Sequence, residues 1–234
     1  MKKIIAALFT ISAFGTCANA QTIASPVSHQ KENKEVKKSI AFAPEIGLNM
    51  ADMTLKASGL KQKTSMKPGL AIGGVVDFGL SNNYYLQPGL FYLANGCNIK
   101  QNAAPPEIAP PGSINLNTIQ LPVNVLYKSG KPGMNRLFLG IGPYVAYNIS
   151  GTGKITGGST TTFTMGDKPN ASNIRPLDYG AGINAGYECP MGFLIRVHYQ
   201  VGFPNLNPTP GGTETTSALG LTVGYLFGGK PKKA

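Results

Sequence analysis

The stretch Phe193–Phe203 constrains this chain more than any other. Its odd positions, Phe193, Ile195, Val197, Tyr199, Val201 and Phe203, are apolar without a break. Its even positions, Leu194, Arg196, His198, Gln200 and Gly202, are polar or small apart from the first. Successive side chains of a strand point to opposite faces, so this segment has one apolar and one polar face. The apolar face carries an aromatic at each end and matches the roughly 9–11 tilted residues with which a strand crosses a hydrocarbon layer. One such segment also suits a half-buried strand of a soluble protein. Repetition of the pattern decides between the two.

The pattern repeats eight times from Ile40 onward. Expected strands cover Ala41–Met50, Gly69–Leu80, Tyr84–Cys97, Thr118–Lys128, Arg136–Ile149, Leu177–Glu188, Phe193–Phe203 and Thr215–Phe227. The intervening segments alternate long and short: Ala51–Met66, Ser81–Asn83, Lys100–Ser113, Ser129–Met134, Ser150–Ile174, Cys189–Met191 and Pro204–Glu214. Long loops at one end and tight turns at the other are the pattern of an outer-membrane barrel. The set opposite the apolar one is mostly Gly, Asn, Gln and Thr. Charged residues are 13% of the 234, about half the usual share of a soluble domain. That set is too sparsely charged for a solvated surface and small enough for a narrow lumen. The expected fold is all-β, an eight-stranded antiparallel up-and-down transmembrane β-barrel. Beyond the N-terminus no apolar run reaches the roughly 18 residues of a spanning helix.

Met1-Lys2-Lys3, the apolar run Ile4–Phe14 and Ala18-Asn19-Ala20 read as a signal peptide over residues 1–20, cleaved between Ala20 and Gln21. Cys17 raises lipidation as an alternative, but Thr16 fits poorly directly before a lipidated cysteine. Residues 21–39 are polar without periodicity and are expected to be a flexible periplasmic linker. Residues 40–228 form the barrel domain, and 229–234 a basic tail. The formal charge of +11 falls to +9 without Lys2 and Lys3, and much of it lies in those two flanks. These basic clusters lack interleaved aromatics, so no nucleic-acid partner is expected. The expected location is a bacterial cell outer membrane, with lipid as the surrounding partner.

Tyr85-Leu86-Gln87-Pro88-Gly89-Leu90, Ile119-Gln120-Leu121-Pro122-Val123 and Gly142-Pro143-Tyr144 resemble the PorT-type outer-membrane β-barrel proteins of Bacteroidetes. The resemblance extends over about Ile40–Phe227. It implies an exported eight-stranded barrel with a terminal aromatic and, by its founding member, a link to secretion. It brings no catalytic residues. Such barrels often stop at the terminal Phe, whereas this chain continues from Gly228 to Ala234.

An eight-stranded barrel is just wide enough for side chains to fill it, so inward charges must pair. Glu45, Asp77, Lys128, Arg136, Asp178, Glu188 and Arg196 fall in the inward phase. We expect a lumen polar cluster of Glu45, Asp77, Asp178, Arg196 and His198, with Arg196 joined to Glu45 or Asp178. His198 has no identifiable serine partner, which argues against a rim hydrolase. One barrel histidine and two scattered cysteines lack metal-ligand spacing. No catalytic residue, cofactor or metal is expected. Cys97 and Cys189 lie at opposite ends of the barrel, about 30 Å or more apart, too far for a disulfide. The functional expectation is a non-enzymatic structural or accessory barrel, monomeric, meeting other outer-membrane or secretion proteins through Ser150–Ile174 and Lys100–Ser113. A small solute or ion pore, a rim-site enzyme and a soluble ligand-binding barrel are the alternatives.

Overall fold

The computed structural model describes residues 40–57, 60–81, 83–101, 110–169 and 173–228. The expected signal peptide, its Ala20–Gln21 cleavage site, the linker and the basic tail lie outside the described residues.

Eight long strands follow in chain order: β1 Ile40–Ala57, β2 Thr64–Gly79, β3 Tyr84–Ile99, β4 Gly112–Lys128, β5 Arg136–Ile155, β6 Leu177–Glu188, β7 Phe193–Gly202 and β8 Gly212–Tyr225. Each pairs antiparallel with its sequence neighbours. β1 also pairs antiparallel with β8, Leu48 opposite Leu221, so the sheet closes on itself. Closure leaves the long strands without a free edge. Leu226 interrupts β8, and Phe227–Gly228 resume pairing with Ala41 and Phe42. No described helix is long and apolar enough to cross a membrane, as suits a chain that crosses with strands.

The strand faces follow the sequence pattern. Val197 and Leu221 are 47% and 46% exposed, while Glu45 and Asp77 are 3% and 2% exposed. The apolar set is therefore outside and the polar set inside. At the end holding the short turns, outward aromatics interlock edge to face: Tyr84 with Tyr127, Phe193 with Tyr225, and Tyr225 with Phe227. The turns there use left-handed glycines, Gly130 and Gly133 between β4 and β5 and Gly192 between β6 and β7.

Six strands run further toward the loops than expected, β3 and β8 by two or three residues and the other four by more. β1 continues to Ala57, β2 begins at Thr64, β4 begins at Gly112 and β5 extends to Ile155. Much of the expected loop Ser150–Ile174 is strand: Thr160–Met165 folds back on β5, and Asn173–Ile174 pairs parallel with its end. The reason is a change of polarity along the strands. On β1 the outward series Ile46, Leu48, Met50 gives way to Asp52, Thr54, Lys56, while Met53 and Leu55 turn inward and are buried. On β4, Ile114 and Leu116 are buried between the less buried Ser113, Asn115 and Asn117. The apolar outward alternation stops where lipid stops, yet the backbone ladder continues into water. The protruding ends enclose an apolar core of Met53, Leu55, Cys97, Ile114, Leu116, Ile174 and Leu206.

Candidate functional site

Among the described residues, the lumen of the barrel is where buried charge gathers. Its inward side chains form tiers, because each residue advances a strand by about 3.3 Å. Nearest the turns, Lys128 of β4 pairs with Asp77 of β2 and with Glu188 of β6. Arg136 of β5 lies 3.8 Å from the other oxygen of Glu188 and donates to the Tyr85 hydroxyl at 3.1 Å. Gln87 donates to Asp77 at 2.6 Å. Lys128 is 1% exposed and sits over the Tyr85 and Phe138 rings at 4.9 and 5.6 Å. Two cations balance two carboxylates, which is the condition for holding ions out of water.

The middle tier centres on Arg196 of β7. Its Nη2 lies 3.0 Å from Glu45 Oε1, and its Nη1 donates to Asn184 Oδ1 at 3.0 Å. Thr222 Oγ1 donates to Glu45 Oε2 at 2.6 Å, so β8 supplies the strand between the pair. His198 lies beside this pair against Gly220. A Cβ on Gly220 would stand 2.1 Å from His198 Cε1, so only glycine admits the ring. His198 Nε2 has no hydrogen-bond partner among the described residues.

Toward the loops most polar groups are neutral, the enclosed carboxylates there being Asp178 and, in the cap, Glu214. Gln120 donates to Gln200 at 3.0 Å, Thr118 to Asn148 at 2.7 Å, and Asn95 to Thr118 at 3.1 Å. Thr216 Oγ1 donates to Asp178 Oδ2 at 2.7 Å. The apolar core of the protruding ends lies beyond. Cavities in the lumen are small: about 30 Å³ beside Arg196 and His198, 20 Å³ beside Asp178 and 40 Å³ beside Lys128. Each admits a water or two.

The five residues expected to cluster are thus all inward, but the structure divides them. Asp77 belongs to the Lys128 tier, Glu45 and Arg196 to the middle one, and Asp178 to the loop end. Of the two partners open to Arg196, Glu45 is the one it meets. Asp178 lies beyond the level of Gly202, roughly 26 Å along the strand from Arg196 at about 3.3 Å per residue. Sequence phase put these side chains in one lumen without giving their heights. Heights follow from the register between strands, which no local signal carries. Among the described residues no three or more His, Cys, Asp or Glu side chains gather as a metal set. Cys97 and Cys189 are both free.

Residues 19–207 match the family model described as outer membrane protein beta-barrel domain. The chain belongs to that family. It is an outer-membrane β-barrel, with the short turns and the barrel's chain ends on the periplasmic side and the protruding cap outside. Solved structures with similar folds include the outer membrane protein OprG from Pseudomonas aeruginosa, at 8% identity, 81% of this chain, 96% of that chain and a TM-score of 0.49. Ail, the attachment invasion locus protein of Yersinia pestis, in complex with the heparin analogue sucrose octasulfate, is similar at 11% identity over 81% of this chain and 99% of that chain, TM-score 0.41. Neisserial surface protein A is similar at 13% identity over 79% and 97%, TM-score 0.44. A search of curated proteins finds no match.

Proposed function

We propose that this outer-membrane β-barrel is a non-conducting, non-enzymatic accessory protein that acts through its external cap and loops. The observation that carries the reading is the filled lumen. Two tiers of balanced ion pairs, a neutral amide ladder and an apolar cap core follow one another along the axis. A continuous water path would have to cross that core. His198 supports the non-enzymatic half, since the hydroxyl that lines its cavity, Thr222, donates to Glu45 and leaves His198 Nε2 without a partner among the described residues. The chain needs no cofactor in this role. It works as a monomeric barrel in outer-membrane lipid, and its partners are other outer-membrane or secretion proteins.

The finer family reading is PorT-type, from a member of the Bacteroidetes, exported by cleavage between Ala20 and Gln21. Supporting it, the sequence segments that carry the resemblance are neighbours across β3, β4 and β5: Pro88 stands opposite Val123, and Pro122 opposite Tyr144. Purified barrel in a planar bilayer is expected to give no steady open conductance. A stable ohmic conductance in the wild type would overturn the plugged reading and favour a pore.

A further inference from the structure

We propose that the loop-end chamber of the lumen is a site for a hard metal cation, sodium or calcium in its chemistry, held by the Asp178 carboxylate. Asp178 is 6% exposed, yet it forms no ion pair among the described residues. Its Oδ2 accepts from Thr216, while its Oδ1 has no partner among them. A carboxyl buried in this way needs either a counter-charge or a proton. The other buried carboxylates of the lumen, Glu45, Asp77 and Glu188, each have a lysine or arginine.

The chamber beside Asp178 supplies oxygen and no cationic side chain. Its polar lining includes Tyr144, Thr216, Asn95, Gln120 and Gln200, and its volume of about 20 Å³ is that of one water-sized guest. Hydroxyl, amide and carboxylate oxygens are the ligands that hard cations take, and thiolate or imidazole is absent from this set. Two glycines keep the space open. A Cβ on Gly202 would lie 2.8 Å from Asp178 Oδ1 and 2.2 Å from Thr216 Oγ1. A Cβ on Gly180 would lie 2.8 Å from the Tyr144 ring, whose placement brings its hydroxyl end toward the same chamber.

The test uses the full barrel refolded in detergent with terbium(III), a hard-cation probe. The chain has no Trp, so tyrosine is the donor, and Tyr144 lines the site. Terbium emission under tyrosine excitation is expected to rise several-fold on binding and to be lost in Asp178→Asn, which keeps the shape and removes the charge. Displacement by calcium chloride alone assigns a divalent site. Displacement by sodium chloride, but not by choline chloride at equal ionic strength, assigns a monovalent one. The unfolding midpoint of the wild type is expected to rise saturably with the displacing ion. Should Asp178→Asn fail to refold, Gly202→Ala fills the space at Oδ1 and is expected to abolish emission. Absence of emission and of any midpoint shift in the wild type would overturn the proposal and leave Asp178 as a neutral carboxyl. Emission unchanged in Asp178→Asn would overturn it equally.

Discussion

Lys128 is the residue on which the periplasmic end of the lumen depends. It is 1% exposed and neutralises parts of two carboxylates at once, Asp77 and Glu188. Removing one partner of a buried pair leaves an uncompensated charge, at a cost of about 3–5 kcal/mol. Lys128→Ala is therefore expected to lower the unfolding free energy of the barrel in lipid vesicles by that amount, from urea titrations read by the folded-to-unfolded gel shift. Adding Asp77→Asn to that variant is expected to recover part of the loss. A loss below about 1 kcal/mol would mean that water already reaches this tier. Glu214 in the cap makes a different prediction, through pH. Burial raises its carboxyl above the ordinary carboxylate range, against a hydrogen bond from Asn207 that lowers it. The folded chain then holds this proton more tightly than the unfolded chain. Stability is fully present below the ordinary carboxylate range and falls as pH rises through the folded-state value. Glu214→Gln is expected to flatten that decline, measured as resistance of the cap to limited proteolysis between pH 4 and 8.

At the scale of one element, β4 carries both environments. Its periplasmic half sends Ile119, Leu121, Val123 and Val125 outward, and its external half sends out Ser113, Asn115 and Asn117. Leu121→Arg puts a cation into hydrocarbon and is expected to cost about 2–4 kcal/mol near the midplane. Asn117→Arg, on the same face of the same strand, gives up only an exposed hydrogen bond to Ser150 and is expected to cost less than about 1 kcal/mol, because it meets water. Equal costs measured by urea titration in vesicles would place the lipid boundary elsewhere. The polarity change also explains which ends of the elements could be read in advance. β6 begins and ends as the alternation indicates, at Leu177 and Glu188, because nearly all of it lies in the apolar band. β1 runs past Met50 to Ala57 because its last turn of ladder faces water outside and packs Met53 and Leu55 inside. A rule that looks for apolar residues facing out ends such a strand too early.

For the whole molecule, closure between β1 and β8 is the decisive event. It brings Glu45 within reach of Arg196 although the two are far apart in sequence. The two thiols report on the same architecture from opposite ends. Cys97 is fully buried in the cap core, and burial pushes its thiol up to about 12, whereas Cys189 is half-buried in the periplasmic turn. In the chain lacking residues 1–20, maleimide is expected to label Cys189 in the folded barrel and both thiols only after unfolding, read by mass. Rapid labelling of Cys97 in the folded state would show that the cap is open.

The sequence by itself determined the number of strands, their facing and the side of each that meets lipid. These are local properties: alternation with a period of two records which medium each face touches. It also placed Glu45, Asp77, Asp178, Arg196 and His198 in one lumen. Only the tertiary structure decided that Arg196 meets Glu45 and not Asp178, and that Lys128 joins Asp77 to Glu188. It alone decided that the strand ends rise beyond the membrane to enclose Leu116 and Leu206. Stagger between paired strands sets those heights and partners. It is fixed by the sum of many cross-strand contacts around a closed ring, which no single segment of the chain contains.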